Sequence, residues 1–373
     1  MKKIITIIGI LAIILIASIY FINKKSPKNY SNLPQKPKKT ISQVRQNIVS
    51  DSERKNAPSL EILPTMDSFS IAKNQIWAGA FQLVWDDLAN EINKAPIKFA
   101  KSQPEMADLL NESSFSVKDL SSSAYYKKLG LSSLQLKQEI ENGIWNKFHE
   151  KSSILDQLDW SPAPGKYTLY AMLKKDLEYV EKFNKLDPDY FEGSNSDIEY
   201  FGDTTDNPSK LKKSVRVLFY NNPSDFAVTL KSKQGDFIHL YRIDGDKTLS
   251  EFYTEMKQKS NTKKDFLQTA DKFKAPILDF NAQREFAELC GVPIMPSGFV
   301  INQAIEAVQF KMDEVGAKLV AEAAALGTLS MPKQRRGRLF YLTGPYAIFI
   351  EEPGKQPYFA AYITDPASLN GNK

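Results

Sequence analysis

The chain is poor in the residues that build most compact active sites and most stapled folds. Among 373 residues there is a single cysteine, Cys290, so no intrachain disulfide can form. His149 and His239 are the two histidines, too few to expect a histidine-built metal centre. Also missing are a Gly-x-Ser-x-Gly elbow, a Gly-x-Gly-x-x-Gly turn, a phosphate loop ending in Gly-Lys-Ser/Thr and a His-Glu-x-x-His helix. Neighbouring carboxylates occur at Asp86–Asp87 and Glu351–Glu352. The first pair falls on the polar face of an amphipathic stretch and the second ends an apolar run, so solvated positions are expected for both. Cys290, between Leu289 and Gly291 at an expected helix end, reads as a structural thiol. The expectation is a protein that is not an enzyme and requires neither cofactor nor metal.

The formal charge of +5 is unevenly spread: residues 1–55 hold eleven Lys or Arg against Asp51 and Glu53, which leaves the rest net acidic. Nucleic acid is therefore not an expected partner. The basic cluster adjoins Ile4–Ile22, an almost unbroken apolar run between Lys2-Lys3 and Asn23-Lys24-Lys25. About nineteen such residues span a bilayer as a helix, and flanking lysines suit anionic headgroups. Residues 1–23 are accordingly read as a transmembrane signal anchor. Cleavage, which would make the protein secreted, is disfavoured because small residues near the end of the run are limited to Ala17 and Ser18. Residues 24–66, with Pro27, Pro34, Pro37, Pro58 and Pro64 among Lys, Ser, Asn and Gln, read as a flexible basic tether, and 67–373 as one extracytoplasmic domain.

Within that domain, Trp77, Phe81, Val84, Trp85, Leu88 and Ile92 recur at helical spacing up to Pro96. Ser102 with Glu105 predicts a capping box for a second helix, and Ser122–Leu129, Ser133–Phe148, Leu249–Met256 and Asn281–Leu289 predict four more. Strands are expected at Tyr167–Leu173, Val215–Tyr220, Phe226–Lys231 and Phe237–Ile243, the last three as an antiparallel meander. A mainly helical first half followed by strands without regular alternation predicts an α+β fold.

The most informative stretch is 304–366. Apolar residues occupy the even positions Ala304, Val308, Phe310 and Met312, interrupted by Glu306, as in a half-buried strand. After Glu314-Val315-Gly316 the apolar parity moves to Ala317, Leu319, Ala321, Ala323 and Ala325, as it would if the chain reversed and returned beside itself. An Ala-rich helix is the competing reading. A polar loop follows, then Pro345-Tyr346-Ala347-Ile348-Phe349-Ile350, and finally Phe359-Ala360-Ala361-Tyr362-Ile363-Thr364-Asp365-Pro366.

A strand ending in Asp-Glu-x-Gly, a small-residue run, an exposed loop and these two closing segments resemble the hinge, reactive loop and last strands of the serpins. The resemblance implies a serpin-like α+β domain that is attacked by an extracytoplasmic serine or cysteine protease. Cleavage frees the segment after the hinge, which enters the main sheet as an extra strand and deforms the captured protease. Glu314, Gly316, Ala317, Leu319, Ala321 and Ala323 are the implied hinge and inserting residues. The implied reactive bond is Ser330-Met331 counted from Gly316, or Gln334-Arg335 counted back from Pro345. The basic run Arg335-Arg336-Gly337-Arg338 suits a trypsin-like enzyme. Departures from the family pattern are visible too, among them Glu306, which stands where many serpins have a histidine in the region that controls sheet opening. Leu319 and Val320 are bulky where inhibitory members carry small residues, and Glu178-Tyr179 stand where the family has a tryptophan motif. A non-inhibitory serpin-like binding or structural protein of the cell envelope is the alternative.

Overall fold

The structure, a computed structural model, describes residues 58–369 apart from 163, 206–213, 262, 264 and 319–336. The expected anchor at 1–23 and most of the tether lie outside these residues. Among the described residues no helix is long and apolar enough to cross a membrane.

Four α-helices are seen among the described residues: α1 (Ala80–Asp87), α2 (Glu105–Glu112), α3 (Leu134–Phe148) and α4 (Leu249–Lys259). The strands of the first half are β1 (Leu60–Ile62), β2 (Asn74–Ala78), β3 (Lys98–Phe99), β4 (Tyr125–Leu131), β5 (Lys166–Leu173), β6 (Leu177–Glu178), β7 (Asn184–Asp189) and β8 (Ile198–Asp203). Then come β9 (Val215–Asn222), β10 (Asp225–Lys231), β11 (Phe237–Arg242), β12 (Asp265–Phe266), β13 (Lys272–Pro276), β14 (Leu278–Glu285) and β15 (Ile294–Met295). The last five are β16 (Val300–Met312), β17 (Gly316–Lys318), β18 (Leu339–Tyr341), β19 (Tyr346–Glu351) and β20 (Pro357–Ile363).

One sheet runs β1-β2-β20-β19-β11-β10-β9-β12, with β9-β10-β11 as the predicted meander. A second, the central sheet below, runs β4-β5-β16-β17-β6, and β14 lies on the other edge of β16. A third runs β18-β13-β8-β7. The main core contains Phe81, Trp85, Phe310, Ile348 and Phe359, drawn from α1 and the first two sheets. A smaller cluster, Leu136, Ile140 and Ile144 of α3 with Tyr170 and Ile305, covers the outer face of the central sheet. Ser133 starts α3 by accepting a hydrogen bond from Leu136 N–H, and Thr248 with Glu251 forms a capping box on α4.

Several expectations are corrected. The first half is not mainly helical. Trp77 belongs to β2 and packs edge-on against Phe115, 5.3 Å away. The chain turns at Gly79, where a Cβ would lie 2.4 Å from the Phe115 ring, and α1 begins only then. The Ser102 capping box does not form: α2 starts after Pro104 with no side-chain cap. Residues 122–129 form a short 3₁₀ turn and then β4, because Tyr125–Leu131 pairs residue by residue with β5. Likewise Asn281–Leu289 is not a helix. Long-range pairing of β14 with β16 from Leu278↔Met312 to Glu285↔Ile305 overrides local propensity and leaves a 3₁₀ turn at Ala287–Leu289. Residues 60–63, grouped with the tether on composition, are packed: β1 pairs in parallel with β2, and Ile62 and Leu63 are buried.

Candidate functional site

The site is the open end of the central sheet. Over Val300–Ala307, β16 pairs in parallel with β5, and Ala307↔Met172 is the last pair. Beyond it the two strands separate. Asp313 reverses the chain, its carboxylate accepting hydrogen bonds from the backbone N–H groups of Val315 (2.8 Å) and Gly316 (3.2 Å). The segment then returns antiparallel as β17, with Met312↔Ala317 and Lys311↔Lys318. Its other edge pairs with β6 through Gly316↔Glu178 and Ala317↔Leu177. The reversal expected from the parity switch is therefore present as far as Lys318, and β17 already sits between two strands.

Gly316 owes its place to close approach and not to a left-handed backbone. A Cβ there would meet Leu177 O at 1.8 Å. Replacing Gly316 with Ala is expected to undock β17 and cost about 1–3 kcal/mol, read as a lowered denaturant midpoint with unchanged slope. Glu314 is buried, its carbonyl accepting from Phe183 N–H (2.9 Å) and its carboxylate 3.6 Å from Lys182. Ala317 is also buried. Leu319, Ala321, Ala323, Ser330, Met331, Gln334, Arg335 and Arg336 lie outside the described residues.

Ahead of Ala317 the inner face of the sheet holds a narrow apolar cavity lined by Leu173, Leu177, Phe310, Tyr358, Phe359 and the stem of Lys175. The Lys175 ammonium is fixed below it by Asp236 (2.6 Å) and Glu352 (2.7 Å), 4.7 Å from the centre of the Tyr358 ring. Tyr358 in turn donates to Asp236, while Ser121 and Lys355 donate to Glu352. Over the opposite face, above β5, β16 and β14, lies a cleft of about 380 Å³ lined by Glu150, Tyr170, Lys174, Gln283 and Gln309 among others.

Glu351 and Glu352 are not solvated: 5% and 7% exposed, they anchor separate ion networks. Glu351 lies 3.1 Å from His239 Nε2 and 2.8 Å from Lys257, and it accepts from Tyr253. Burial pushes both carboxyls up, but these partners outweigh it, holding Glu351 and Glu352 at about 2. Their contribution to stability is complete above the ordinary 4.5 and is lost as pH falls toward 2. An acid titration followed by circular dichroism is expected to show unfolding that begins below about pH 4.5, with a shallower profile in Glu351→Gln. Cys290 is half-buried, and burial pushes its thiol up to about 11, consistent with a structural residue.

Arg338, grouped by sequence with Arg335 and Arg336, is held by ion pairs of its own. Its guanidinium donates to Asp271 (2.8 Å) and Asp265 (2.6 Å), and β18 continues in parallel with β13. A Cβ on Gly337 would lie 1.8 Å from Ala270 O, so the chain enters this clamp through a glycine. Sequence reasoning missed Lys175 and the clamping role of Arg338, since their partners are distant in the chain.

Comparison with protein-family models gives no match, and comparison with curated proteins gives none either. Among solved structures the chain is similar to Serpin48 of the insect Tenebrio molitor, with 11% identity over 78% of this chain and 91% of that one, TM-score 0.45. It is also similar to thyroxine-binding globulin in complex with thyroxine, with 9% identity over 79% and 93%, TM-score 0.47. At such identities the likeness is one of fold alone. The α+β architecture expected from the sequence is borne out by the sheet order, and the chain reversal expected at Gly316 is present.

Proposed function

We propose that the protein is an extracytoplasmic, serpin-like trap for a serine or cysteine protease, held at a membrane by residues 1–23. The observation that carries this reading is β17: a strand of three residues, already paired on both edges, at the mouth of a seam whose deeper part is closed. If its two ladders continued in register, residue 319 would come between Phe310 and Lys175, residue 321 between Val308 and Leu173, and residue 323 between Glu306 and Ala171. Glu306 and Ala171 are now direct neighbours, so continued entry of the strand must part β5 from β16. Gly316 then acts as the hinge and Ala317, Leu319, Ala321 and Ala323 form the inward side of the added strand, with cleavage in the Ser330–Arg336 loop as the trigger. The Arg338 clamp holds the other end of the loop, so an uncut chain is tethered at both ends. The test is incubation of the full-length protein with a trypsin-like protease: a detergent-stable covalent complex supports the trap, and clean cleavage or resistance without one overturns it.

A second reading, a non-inhibitory binding protein, is favoured by the 380 Å³ cleft over the seam. Thyroxine-binding globulin, with its bound thyroxine, illustrates binding without bearing on this chain's ligand. Retention of a small molecule by the native protein, together with no covalent complex, marks this reading.

A further inference from the structure

Glu306 stands in the middle of β16, 1% exposed, with no side-chain partner and no hydrogen bond of good geometry to either carboxyl oxygen. Residues directly opposite each other in a sheet share a face. Four strands thus place a row on the inner side of the central sheet: Lys127 opposite Ala171, Ala171 opposite Glu306, Glu306 opposite Arg284. Both cations of the row are engaged with other groups. Lys127 donates to Asp87 (2.6 Å) and to Leu83 O, and Arg284 donates to Glu61 (2.7 Å), Ile62 O and Glu288 (3.0 Å). The elements packed on this face therefore present charges that are already paired: Asp87 on α1, Glu61 on β1 and Glu288 in the 3₁₀ turn. Asp86, also on α1, accepts from Gln82. Near the carboxyl itself α1 presents the backbone N–H of Phe81, which favours the ionised form more weakly than burial opposes it. Without a counter-charge, burial pushes Glu306 well above the ordinary 4.5.

We propose that Glu306 is a proton-operated latch on the seam between β5 and β16: protonated, it stays buried and the strands remain paired; ionised, it requires water and the seam parts. The latch is a property of the intact sheet and does not depend on the trap reading, although in a trap it would make insertion faster as pH rises. The sign follows from linkage. A carboxyl exposed by parting ionises at its ordinary value, while the buried one holds its proton, so each pH unit raises the parted fraction about tenfold until the buried group also ionises. Glu351 and Glu352 titrate near 2, burial lowers His239 below its ordinary 6.5, and Cys290 titrates near 11.

The experiment is amide hydrogen exchange on the full-length protein at pH 6.5, 7.5 and 8.5, corrected for intrinsic exchange, for the wild type, Glu306→Gln and Glu306→Met. Protection of amides in Lys166–Met172 and Val300–Ala307 is expected to fall by up to about 100-fold across this range in the wild type and to stay level in both variants. Amides of β10 and β11 are expected to stay level in all three proteins. Equal slopes in the wild type and the variants would overturn the latch, as would a wild-type loss spread evenly over β10 and β11. Failure of both variants to fold would also overturn it, by showing that a polar and an apolar isostere without the proton cannot fill the position.

Discussion

Limited trypsin cleavage within residues 329–338 is expected to raise the melting temperature of the full-length protein by about 10 °C or more. The backbone hydrogen bonds of a strand extended on both edges are roughly offset by the cost of ordering its residues, about 1–2 kcal/mol each. What remains is burial. Leu319, Ala321, Ala323 and Ala325 bring in seven side-chain carbons, counted from the sequence, at about 0.8 kcal/mol each, or about 5 kcal/mol in all. At about 2–4 °C per kcal/mol for a domain of this class, that gives 10–20 °C. A differential scan before and after cleavage, with the digest checked on a denaturing gel, reads it directly. A cut loop with an unchanged melting temperature would mean that the seam does not admit the strand, leaving the binding-protein reading.

The parts of the site that depend on local pattern were legible in the sequence. The parity switch at Gly316 anticipated the return of β17 beside β16, and Ser133 with Leu136, Ile140 and Ile144 marked α3. Trp145, at the same helical spacing, is 51% exposed, since spacing alone does not say how wide the buried contact is. The parts that depend on distant partners were not legible. Tyr125–Leu131 has helix-forming Lys and Leu, and only pairing with β5 makes it a strand. Glu352 reads as a surface charge until Lys175, far back in the chain, is brought to 2.7 Å. Arg338 reads as one of three basic loop residues until Asp265 and Asp271 close on it. The reversal at Gly316 was anticipated but the reason for a glycine there was not: no pattern in the sequence announces that Leu177 O lies where a Cβ would stand.

Leu319 yields the sharpest test of the insertion register. By sequence alone a large side chain just after the hinge is an obstacle to entry. In the added strand proposed above, residue 319 would instead face the small pocket between Leu173, Leu177, Phe310 and Phe359, whose walls are apolar and whose one charged neighbour, Lys175, is neutralised by Asp236 and Glu352. A leucine entering there buries three more carbons than an alanine, so Leu319→Ala is expected to remove about 2–3 kcal/mol of the gain on cleavage, roughly half of the rise in melting temperature. Leu319→Arg is expected to abolish the rise, because an unpaired guanidinium would enter the same walls beside an ammonium whose carboxylates are already engaged. The uncut protein is expected to melt alike in all three forms if residue 319 reaches the cavity only after cleavage. A larger gain for Leu319→Ala than for the wild type would place the leucine as an obstacle after all and would show that the added strand does not follow the register set by Met312↔Ala317 and Leu177↔Ala317.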